Sequence, residues 1–440
     1  MVADRLNKRW DLVALGVVVN MCLGTVYSWS VFRAPLEASL SLTTAQSGLP
    51  YSVFLAVFAF SMPVAGLLMA RIGTRVTLLT GGVLVGAGWI SGGLISSFVP
   101  LVVSYGVVGG AGVGFAYGVP LAVAGSWFPA RRGLAMGVTL AGFGVSPFVT
   151  APLAEVLIVR IGVQPAMVAL GAGFAVVIPA LAGFFTRHEP EPDGADRRAS
   201  SSQAGASASA ETRPPAEATS PSAAAVVTGE RPAGEGAGGA DGPSLQHELG
   251  PAAMLRSPNF YGLWIAYVVG TLCGLTAIGM TASFAQQTAG LSGPAAAAAV
   301  SAFGVLNGVG RPLFGAVHDA TGVRRSIVIA FVLIAAGAAA AMFARPDLPL
   351  PFFVGFGIFW LMLGGWLAIA PAATTRLFGA RNYVKNYGIM YTAYGVGALA
   401  GGAASGALFE RFGSHTPLFL AIIGLCVVGA VVAVGVIREP

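Results

Sequence analysis

The sequence predicts an all-α membrane protein of about twelve transmembrane helices arranged in two six-helix halves. Of its 440 residues, 55% are hydrophobic and only 10% are charged, whereas an average soluble domain has roughly 25% charged residues. The apolar residues are collected in twelve runs, each long enough to cross about 30 Å of hydrocarbon. A long polar segment separates the first six runs from the last six. The 62 glycines agree with this fold class, because glycine is frequent where membrane helices approach closely.

The apolar runs are interpreted as helices, because an open sheet cannot satisfy its backbone polar groups in lipid. The runs of the first half are 11–32, 48–70, 76–96, 100–126, 134–159 and 165–185. Those of the second half are 260–286, 295–317, 326–344, 351–375, 386–408 and 416–437. The first run is too long for the core of a signal peptide, so it is predicted to be the first spanning helix.

Composition divides the chain into three parts. We predict a six-helix half at 1–186, a linker at 187–256 and a second six-helix half at 257–440. The linker is rich in Ala, Gly, Ser and Pro and has too few apolar residues to build a core, so disorder is expected. The stretch from Leu249 to Leu255 is the exception, where a short interfacial helix is expected.

The distribution of Lys and Arg predicts the orientation. With the N-terminus inside, the cytoplasmic segments hold 19 basic residues, or 13 without the linker, and the outer loops hold four. The four residues assigned to outer loops are Arg33, Arg160, Arg345 and Arg411. We therefore expect both termini and the linker to lie in the cytoplasm, with the chain in the inner cell membrane.

Several functional classes are disfavoured by the same residues. The net charge of +6 is scattered between apolar runs, so it forms no nucleic-acid patch. Cys22, Cys273 and Cys426 have no metal-ligand spacing. No helix has a defensible nucleophile–base pair or phosphate-binding loop, so we expect neither an enzyme nor a cofactor or metal. Lipid is the expected surroundings, and no oligomer is required.

Two pairs of loops are repeated at the same places in each half. The loop after the second helix has Arg71, Gly73 and Arg75, and the loop after the eighth has Asp319, Gly322 and Arg324. The loops after the fourth and tenth helices have Arg131 and Arg381 in similar Phe-x-Ala-Arg runs. Parallel repeats of this kind place a solute site between the halves near the midplane.

These loops resemble the signature of the major facilitator superfamily. The resemblance covers nearly all of the chain outside the linker and implies the major facilitator fold with alternating access. The first loop departs from the pattern, because Ala70 stands where Asp is usual, whereas the second keeps Asp319. A stronger cytoplasmic charge lock is therefore expected in the second half.

Arg311 is the sharpest feature of the sequence, because it lies inside the eighth apolar run. A charge within the bilayer costs at least about 2.5–3.5 kcal/mol and usually has a functional role. We predict no acidic residue deep in a helix to neutralise it, so Arg311 is expected to bind a substrate anion. Its planar guanidinium matches a carboxylate. The alternative is that Arg311 reaches the nearby cytoplasmic surface.

Five further residues are expected to line the same site. Asn307 lies one turn before Arg311 and is predicted either to hold the guanidinium or to contact the solute; the alternative is an ordinary interhelical hydrogen bond. Tyr27, Tyr117, Tyr391 and Tyr394 are phenols that can donate to a carboxylate while their rings pack on its carbon chain. For Tyr27 and Tyr391, anchoring at the membrane interface is the competing interpretation.

Three motifs narrow the resemblance to one branch. The runs Tyr27-Ser-Trp-Ser, Gly-Arg311-Pro-Leu-Phe-Gly and Asn386-Tyr-Gly-Ile-Met-Tyr-Thr-Ala-Tyr394 resemble the oxalate/formate antiporter group and the monocarboxylate transporters. That resemblance implies that Arg311 binds the substrate carboxylate. The oxalate carriers have a Lys where Tyr394 stands, and their Trp and Tyr before the tenth-helix Pro are replaced here by Leu363 and Leu367. A dicarboxylate would leave one buried charge uncompensated.

The residues expected for proton coupling also differ from those of the monocarboxylate transporters. Those proteins have Asp at the position of Asn307 and a Lys in the first helix, which this chain lacks. We therefore predict secondary active or facilitative transport of a small monocarboxylate, such as lactate, pyruvate, formate or acetate, with H⁺ symport left open. The alternatives are exchange of oxalate/formate type, export of another organic anion, and a carboxylate sensor that signals through the linker.

Overall fold

The computed structural model describes residues 2–128, 132–186, 248–379 and 382–439. Within these ranges the chain is helical throughout, apart from short connections and one isolated bridge between Arg345 and Leu348. The spanning helices are α1 (Trp10–Leu40), α2 (44–72), α3 (74–94), α4 (Phe98–Trp127), α5 (Arg132–Ile161), α6 (Val163–Thr186), α7 (Pro258–Gln287), α8 (293–321), α9 (323–341), α10 (Leu350–Phe378), α11 (383–412) and α12 (Thr416–Val436). The predicted fold class of twelve helices is confirmed.

Two glycines divide helical stretches that are too long for one crossing. Thr44–Leu94 has 51 residues, about 77 Å at 1.5 Å per residue, which is more than twice a bilayer core. It breaks at Gly73, where φ is 82°. Gly293–Ala341 breaks in the same way at Gly322, where φ is 85°. Both glycines belong to the repeated loops, and only glycine adopts positive φ without steric cost.

The bundle has two ends, which we name from the segment between the halves. The linker end is the end at which residues 186 and 248 lie, and the far end is opposite. Most of the predicted linker, 187–247, falls outside the described residues. The expected short helix near Leu249–Leu255 is present as a single helical turn at Pro251–Met254.

The halves contact each other through α2 with α11 and through α5 with α8, mainly by small residues. In α11, Gly395 lies against Ala56 and Ala59 of α2, and Gly406 lies against Ala45. Each of these glycines would bring an added Cβ within 3.3 Å of the partner helix. Close approach of this kind is how membrane helices gain packing energy without a hydrophobic driving force.

The glycines of α4 and α1 position the aromatic centre of the first half. Gly106, Gly110 and Gly114 of α4 pack directly against α2. Gly24 of α1 leaves no room for a Cβ against the Phe143 carbonyl of α5. At this point α1 tightens into a 3₁₀ segment, Gly24–Ser28, in which Tyr27 is fully buried.

Candidate substrate-binding site

Arg311 lies in α8 at the interface between the halves and is 8% exposed. Its Nη1 donates to the Leu140 carbonyl of α5 at 2.8 Å, and its Nη2 lies 3.5 Å from Asn307 Oδ1. Its Nε is buried and has no hydrogen-bond partner. Among the described residues no carboxylate lies within 4 Å of the guanidinium. The cation is therefore tethered to the other half but is not neutralised.

Asn307 orients the guanidinium from one turn below. Its Nδ2 donates to the Trp360 carbonyl of α10 at 3.1 Å, which leaves Oδ1 facing Arg311. Gly144 of α5 faces the same amide, because a Cβ there would lie 2.7 Å from Oδ1. Gly364 of α10 likewise has no room for a side chain against the Asn307 backbone. Asn307 is thus held between α5 and α10.

Two predicted phenols meet across the halves. The hydroxyls of Tyr27 in α1 and Tyr394 in α11 are 2.9 Å apart, and either can be the donor. Tyr391 stacks on Tyr394 with centroids 5.0 Å apart and an interplanar angle of 11°. All three side chains are at most 2% exposed, so the interface-anchoring interpretation of Tyr27 and Tyr391 is wrong.

Phe58 of α2 is the centre of this aromatic group, and no pattern in the sequence indicates it. Its ring centroid lies 5.1 Å from Tyr117, 5.9 Å from Tyr391 and 6.0 Å from Tyr394. The ring of Phe143 completes the group at 6.0 Å from Phe58. Phe58 is one apolar residue in an apolar run, so no periodicity distinguishes it.

Phe143 did leave a signal in the sequence, which was missed. It lies between two glycines of α5, and each glycine allows a close contact with a different half. Gly142 packs on Val17 of α1, and Gly144 packs on Asn307 of α8. The Phe143 ring meets Tyr27 edge-on at 5.1 Å and Tyr117 edge-on at 5.4 Å. Small residues on both sides of one large ring indicate a residue wedged between helices.

Arg311 and the phenols form one electrostatic unit. The guanidinium lies close enough to the Tyr27 and Tyr117 hydroxyls to interact with both. Each phenol offers one O–H donor and can also accept. A cation with an unbonded Nε, surrounded by hydroxyl donors and aromatic faces, is suited chemically to one carboxylate with a short carbon tail.

The repeated loops at the linker end differ between the halves. Gly73 has no atom within 4 Å of an added Cβ, and Arg71 and Arg75 are exposed. In the second half the carboxylate of Glu439 lies over Gly322 and accepts the Arg324 backbone N–H at 2.9 Å. Glu439 also pairs with Arg376 of α10 at 3.6 Å. The Arg324 guanidinium donates to the Ile437 carbonyl.

Asp319 was predicted to take part in the charge lock of this loop. It is exposed, and within the described ranges it forms no ion pair. Glu439, which follows α12, supplies a carboxylate to the same loop, because residues 437–439 return over it. Arg131 and Arg381, predicted to belong to the other pair of loops, lie outside the described residues.

The structure places Arg33 inside a helix and not in a loop. It was assigned to an outer loop, but it lies inside α1, is 4% exposed and faces the opposite half. Its Nη1 donates to the Gly279 carbonyl of α7 at 3.1 Å, its Nη2 to the Thr44 carbonyl at 2.8 Å, and its Nε to Ser47 Oγ at 3.1 Å. Glu37 lies 3.7 Å from Nη2. Arg311 is therefore not the only buried charge.

Within the described residues no group of three His, Cys, Asp or Glu side chains is arranged to hold a metal ion. The described part of the site therefore consists of one cation, one amide and several phenols and aromatic rings. It can bind an anion through charge and hydrogen bonds and can hold a small apolar group between rings. Its members come from both halves, so relative motion of the halves would take the site apart on one side.

Comparison with known proteins gives the family. The family model "Major Facilitator Superfamily" matches residues 13–370 and 263–440. Because this match covers most of the chain, the protein belongs to the major facilitator superfamily and is a multi-pass transporter.

The relatives include carriers of small acids. The oxalate:formate antiporter of Oxalobacter formigenes is 26% identical over 420 residues, which is 95% of this chain and 89% of that protein. Monocarboxylate transporter 12 of Mus musculus is 24% identical over 440 residues, 98% of this chain and 85% of its own. Among solved structures, a D-xylose-proton symporter superposes with a TM-score of 0.69 at 13% identity, covering 98% of both chains, which supports the fold.

Proposed function

We propose that this transporter carries a small monocarboxylate by alternating access, with Arg311 as the carboxylate anchor. The observation that supports it most is the guanidinium of Arg311, which is buried, has an unbonded Nε and has no acidic partner among the described residues. An uncompensated buried charge is costly, and an anionic substrate removes that cost when it binds. The relatives named for oxalate, formate and monocarboxylates agree with this substrate class.

The number of cations in the site favours one carboxylate over two. Tyr394 occupies the position at which the oxalate carriers have a second cation, and it contributes a neutral hydroxyl bonded to Tyr27. A second carboxylate among these rings would find donors but no counter-charge, which is expensive in a low dielectric. A methyl or hydroxyethyl tail would instead pack against Phe58 and Phe143.

In the proposed cycle the substrate carboxylate binds to Arg311 and competes with hydrogen bonds between side chains of the site. One carboxylate oxygen accepts from Arg311 Nε, which has no bond to lose. The other accepts from the Tyr27 or Tyr394 hydroxyl and competes with their mutual hydrogen bond. Because that bond joins α1 to α11, substrate binding acts on a contact between the halves. Such coupling suits exchange or facilitated diffusion, and H⁺ symport is a variant of the same proposal.

The orientation proposed places the linker end in the cytoplasm. With Arg33 buried in α1, three basic residues are left at the far end: Arg160 and Arg411 in the last turns of α5 and α11, and Arg345 in the connection after α9. The asymmetry in Lys and Arg is therefore larger than the sequence predicted, and it supports cytoplasmic termini in the inner cell membrane.

The proposal is tested with purified protein in liposomes. We expect uptake of labelled formate, acetate, lactate or pyruvate, and we expect Arg311→Ala to reduce it about 10- to 100-fold by removing a charged hydrogen-bonded contact. Arg345→Ala, which changes an exposed arginine at the far end, is the matched control and should keep wild-type uptake. Full uptake by Arg311→Ala would disprove the site.

The same liposomes separate the second candidate. Oxalate exchange is favoured by the similarity to the Oxalobacter protein over 95% of this chain. Rapid counterflow of labelled oxalate with weak lactate uptake would replace the monocarboxylate proposal by that one. Uptake that rises with an imposed inward proton gradient would establish H⁺ symport, and uptake that requires internal substrate would establish exchange.

A further inference from the structure

A small cavity of about 20 Å³ lies at the far end, where α1, α2, α7 and α11 meet. We name it the Arg33 chamber. Its lining includes Arg33, Tyr51, Ser52, Thr276, Gly279 and Ser405. Two of these helices belong to each half, so the chamber lies between the halves, and its lining contains a cation and several hydroxyls but no carboxylate.

Arg33 has donors to spare in this chamber. A guanidinium has five N–H groups, and three of them donate to Ser47, Gly279 and Thr44. Glu37 lies 3.7 Å from Nη2 and is not part of the chamber lining. At least one N–H is therefore left for a further acceptor.

Two buried hydroxyls in the lining have no partner. Tyr51 and Thr276 are 4% and 5% exposed, and neither Tyr51 Oη nor Thr276 Oγ1 forms a hydrogen bond. Buried polar groups are nearly always hydrogen-bonded, because an unmet group costs about as much as a lost hydrogen bond. A cation and two unpartnered O–H donors around one cavity are the donor set of an anion site.

The chamber lies next to the central site on its far side. Ala398, in the chamber lining, follows Tyr394 by one turn of α11 towards the far end. Tyr51 precedes Phe58 by two turns of α2, again towards the far end. The Tyr27–Tyr394 hydrogen bond thus lies about one turn of α11 from the chamber lining.

We propose that the Arg33 chamber is a second anion site, in which Arg33, Tyr51 and Thr276 hold a small monovalent anion on the route between Arg311 and the far side. Its volume admits about one water-sized group, so the closed chamber accommodates a halide or a single carboxylate oxygen. A whole carboxylate needs the Arg33–Gly279 contact to open. The part that concerns the transported carboxylate rests on the proposed function, whereas the anion site itself does not.

The test measures anion binding after the central cation has been removed. The purified full chain with Arg311→Gln is titrated with sodium bromide or with sodium formate, and the thermal-unfolding midpoint is recorded. Sodium gluconate, whose anion is too large for the chamber, keeps the ionic strength constant. We expect a saturable rise in the midpoint with at least one of the two anions.

Two variants in the Arg311→Gln protein locate that site without removing Arg33. Tyr51→Phe and Thr276→Val each delete one unpartnered hydroxyl and retain the packing. Each should weaken the apparent anion affinity about tenfold, because a hydrogen bond to a charged group is lost. The matched control is Tyr105→Phe, which deletes another buried hydroxyl without a partner that lies outside the chamber lining. This control should leave the affinity unchanged.

The outcomes separate the two proposals. Saturation with formate supports a chamber that takes the transported class of anion, and saturation with bromide alone supports a chamber for an inorganic halide. No saturable rise in Arg311→Gln with either anion, or equal loss in Tyr51→Phe and Tyr105→Phe, overturns the chamber. Failure of the wild type to take up any monocarboxylate in liposomes overturns the proposed function and leaves the bromide result standing.

Discussion

Two buried arginines separate the structural from the functional use of charge in this bundle. Arg33 in α1 and Arg311 in α8 are 4% and 8% exposed, and each donates to a carbonyl in the opposite half. Arg33 also has Glu37 at 3.7 Å and two further oxygen acceptors. Arg311 has one more contact, the Asn307 amide at 3.5 Å, and an unbonded Nε.

The difference shows that depth in the membrane does not by itself identify a substrate site. A buried charge is stable where its counter-charge and hydrogen bonds are built in, and it has affinity for an anion where they are withheld. By this criterion Arg311 has the greater affinity for an anion. Arg33, whose charge is largely balanced by Glu37, has only its remaining N–H donors for an anion in the chamber.

The largest effect should come from replacing each arginine by methionine. Arg33→Met strands Glu37 beside a buried interface, so we expect the free energy of unfolding to fall by about 2–4 kcal/mol, slightly less than for a fully buried pair. Arg311→Met strands no carboxylate within the described residues, so we expect a change within about 1 kcal/mol together with loss of uptake. Thermal unfolding in detergent measures the change in stability, and uptake into liposomes measures the loss of transport.

The double variant Arg33→Met/Glu37→Gln is the control for this contrast. It removes the uncompensated carboxylate, so it should regain part of the stability that Arg33→Met loses. If Arg311→Met proved as destabilising as Arg33→Met, the distinction between a compensated and an uncompensated arginine would fail.

The next effect contrasts the two ends of the α2–α11 interface. Gly402, in the part of α11 near the far end, has no room for a Cβ against Ser52 of α2. Gly388, nearer the linker end, would place a Cβ at an ordinary 3.7 Å from Pro63. Overpacking costs about 1–3 kcal/mol, so Gly402→Ala should shift the far end towards an open state by at least about fivefold, whereas Gly388→Ala should have little effect.

A cysteine in the Arg33 chamber reports that opening. Ser405→Cys, in protein whose native cysteines are replaced by alanine, should react faster with a membrane-impermeant thiol reagent when Gly402→Ala is added. Gly388→Ala is the matched control at the looser end of the same interface. Equal reactivity in both variants would show that the close contact between Gly402 and Ser52 does not control access from the far end.

The contrast between the arginines also shows how far sequence can go. The twelve helices, the glycine breaks at Gly73 and Gly322 and the special status of Arg311 follow from local patterns. Arg33 was missed because it directly follows the apolar run 11–32, and because its partner Gly279 lies 246 residues away in the chain. A residue at the edge of a run is assigned to a loop unless its distant acceptors are known.

Other parts of the site fail to be predicted for a similar reason. Phe58 acquires its role only where α4, α5 and α11 converge on α2, and Glu439 reaches Arg324 only because residues 437–439 fold over Gly322. Tyr391 and Tyr394 were predicted to lie in one site because they are close in the sequence, and their rings stack in the structure. Long-range contacts that join different helices leave no periodic mark.

A smaller effect is expected at the Tyr27–Tyr394 hydrogen bond, which joins α1 to α11. Tyr27→Phe or Tyr394→Phe leaves the opposite hydroxyl buried with its partner removed, so each should lower stability by about 1 kcal/mol. The double variant should lose less than the sum, which measures the coupling between the two phenols. Strictly additive losses would show that the 2.9 Å contact contributes nothing.

The smallest effect is a pH dependence in the Arg33 region. His415, just before α12, stacks on Phe409 at 4.4 Å and has a buried Nδ1 without a partner. Burial first, and then the charge of Arg33, lower the pKa of His415 to about 4. Since the folded pKa is below the unfolded value, His415 contributes stability above about pH 6.5 that is lost as the pH falls towards 4.

We therefore expect the free energy of unfolding of His415→Phe, which keeps the ring stacking, to fall less between pH 6.5 and pH 4.5 than that of the wild type. The difference should be about 1 kcal/mol or less after solvent screening. Arg33→Met should reduce the fall in part, because one of the two causes of the lowered pKa is removed. Arg311→Met should leave the slope unchanged. An unchanged slope in His415→Phe would show that this histidine does not cause the acid sensitivity, and the two arginines would then differ in their counter-charges but not in their influence on it.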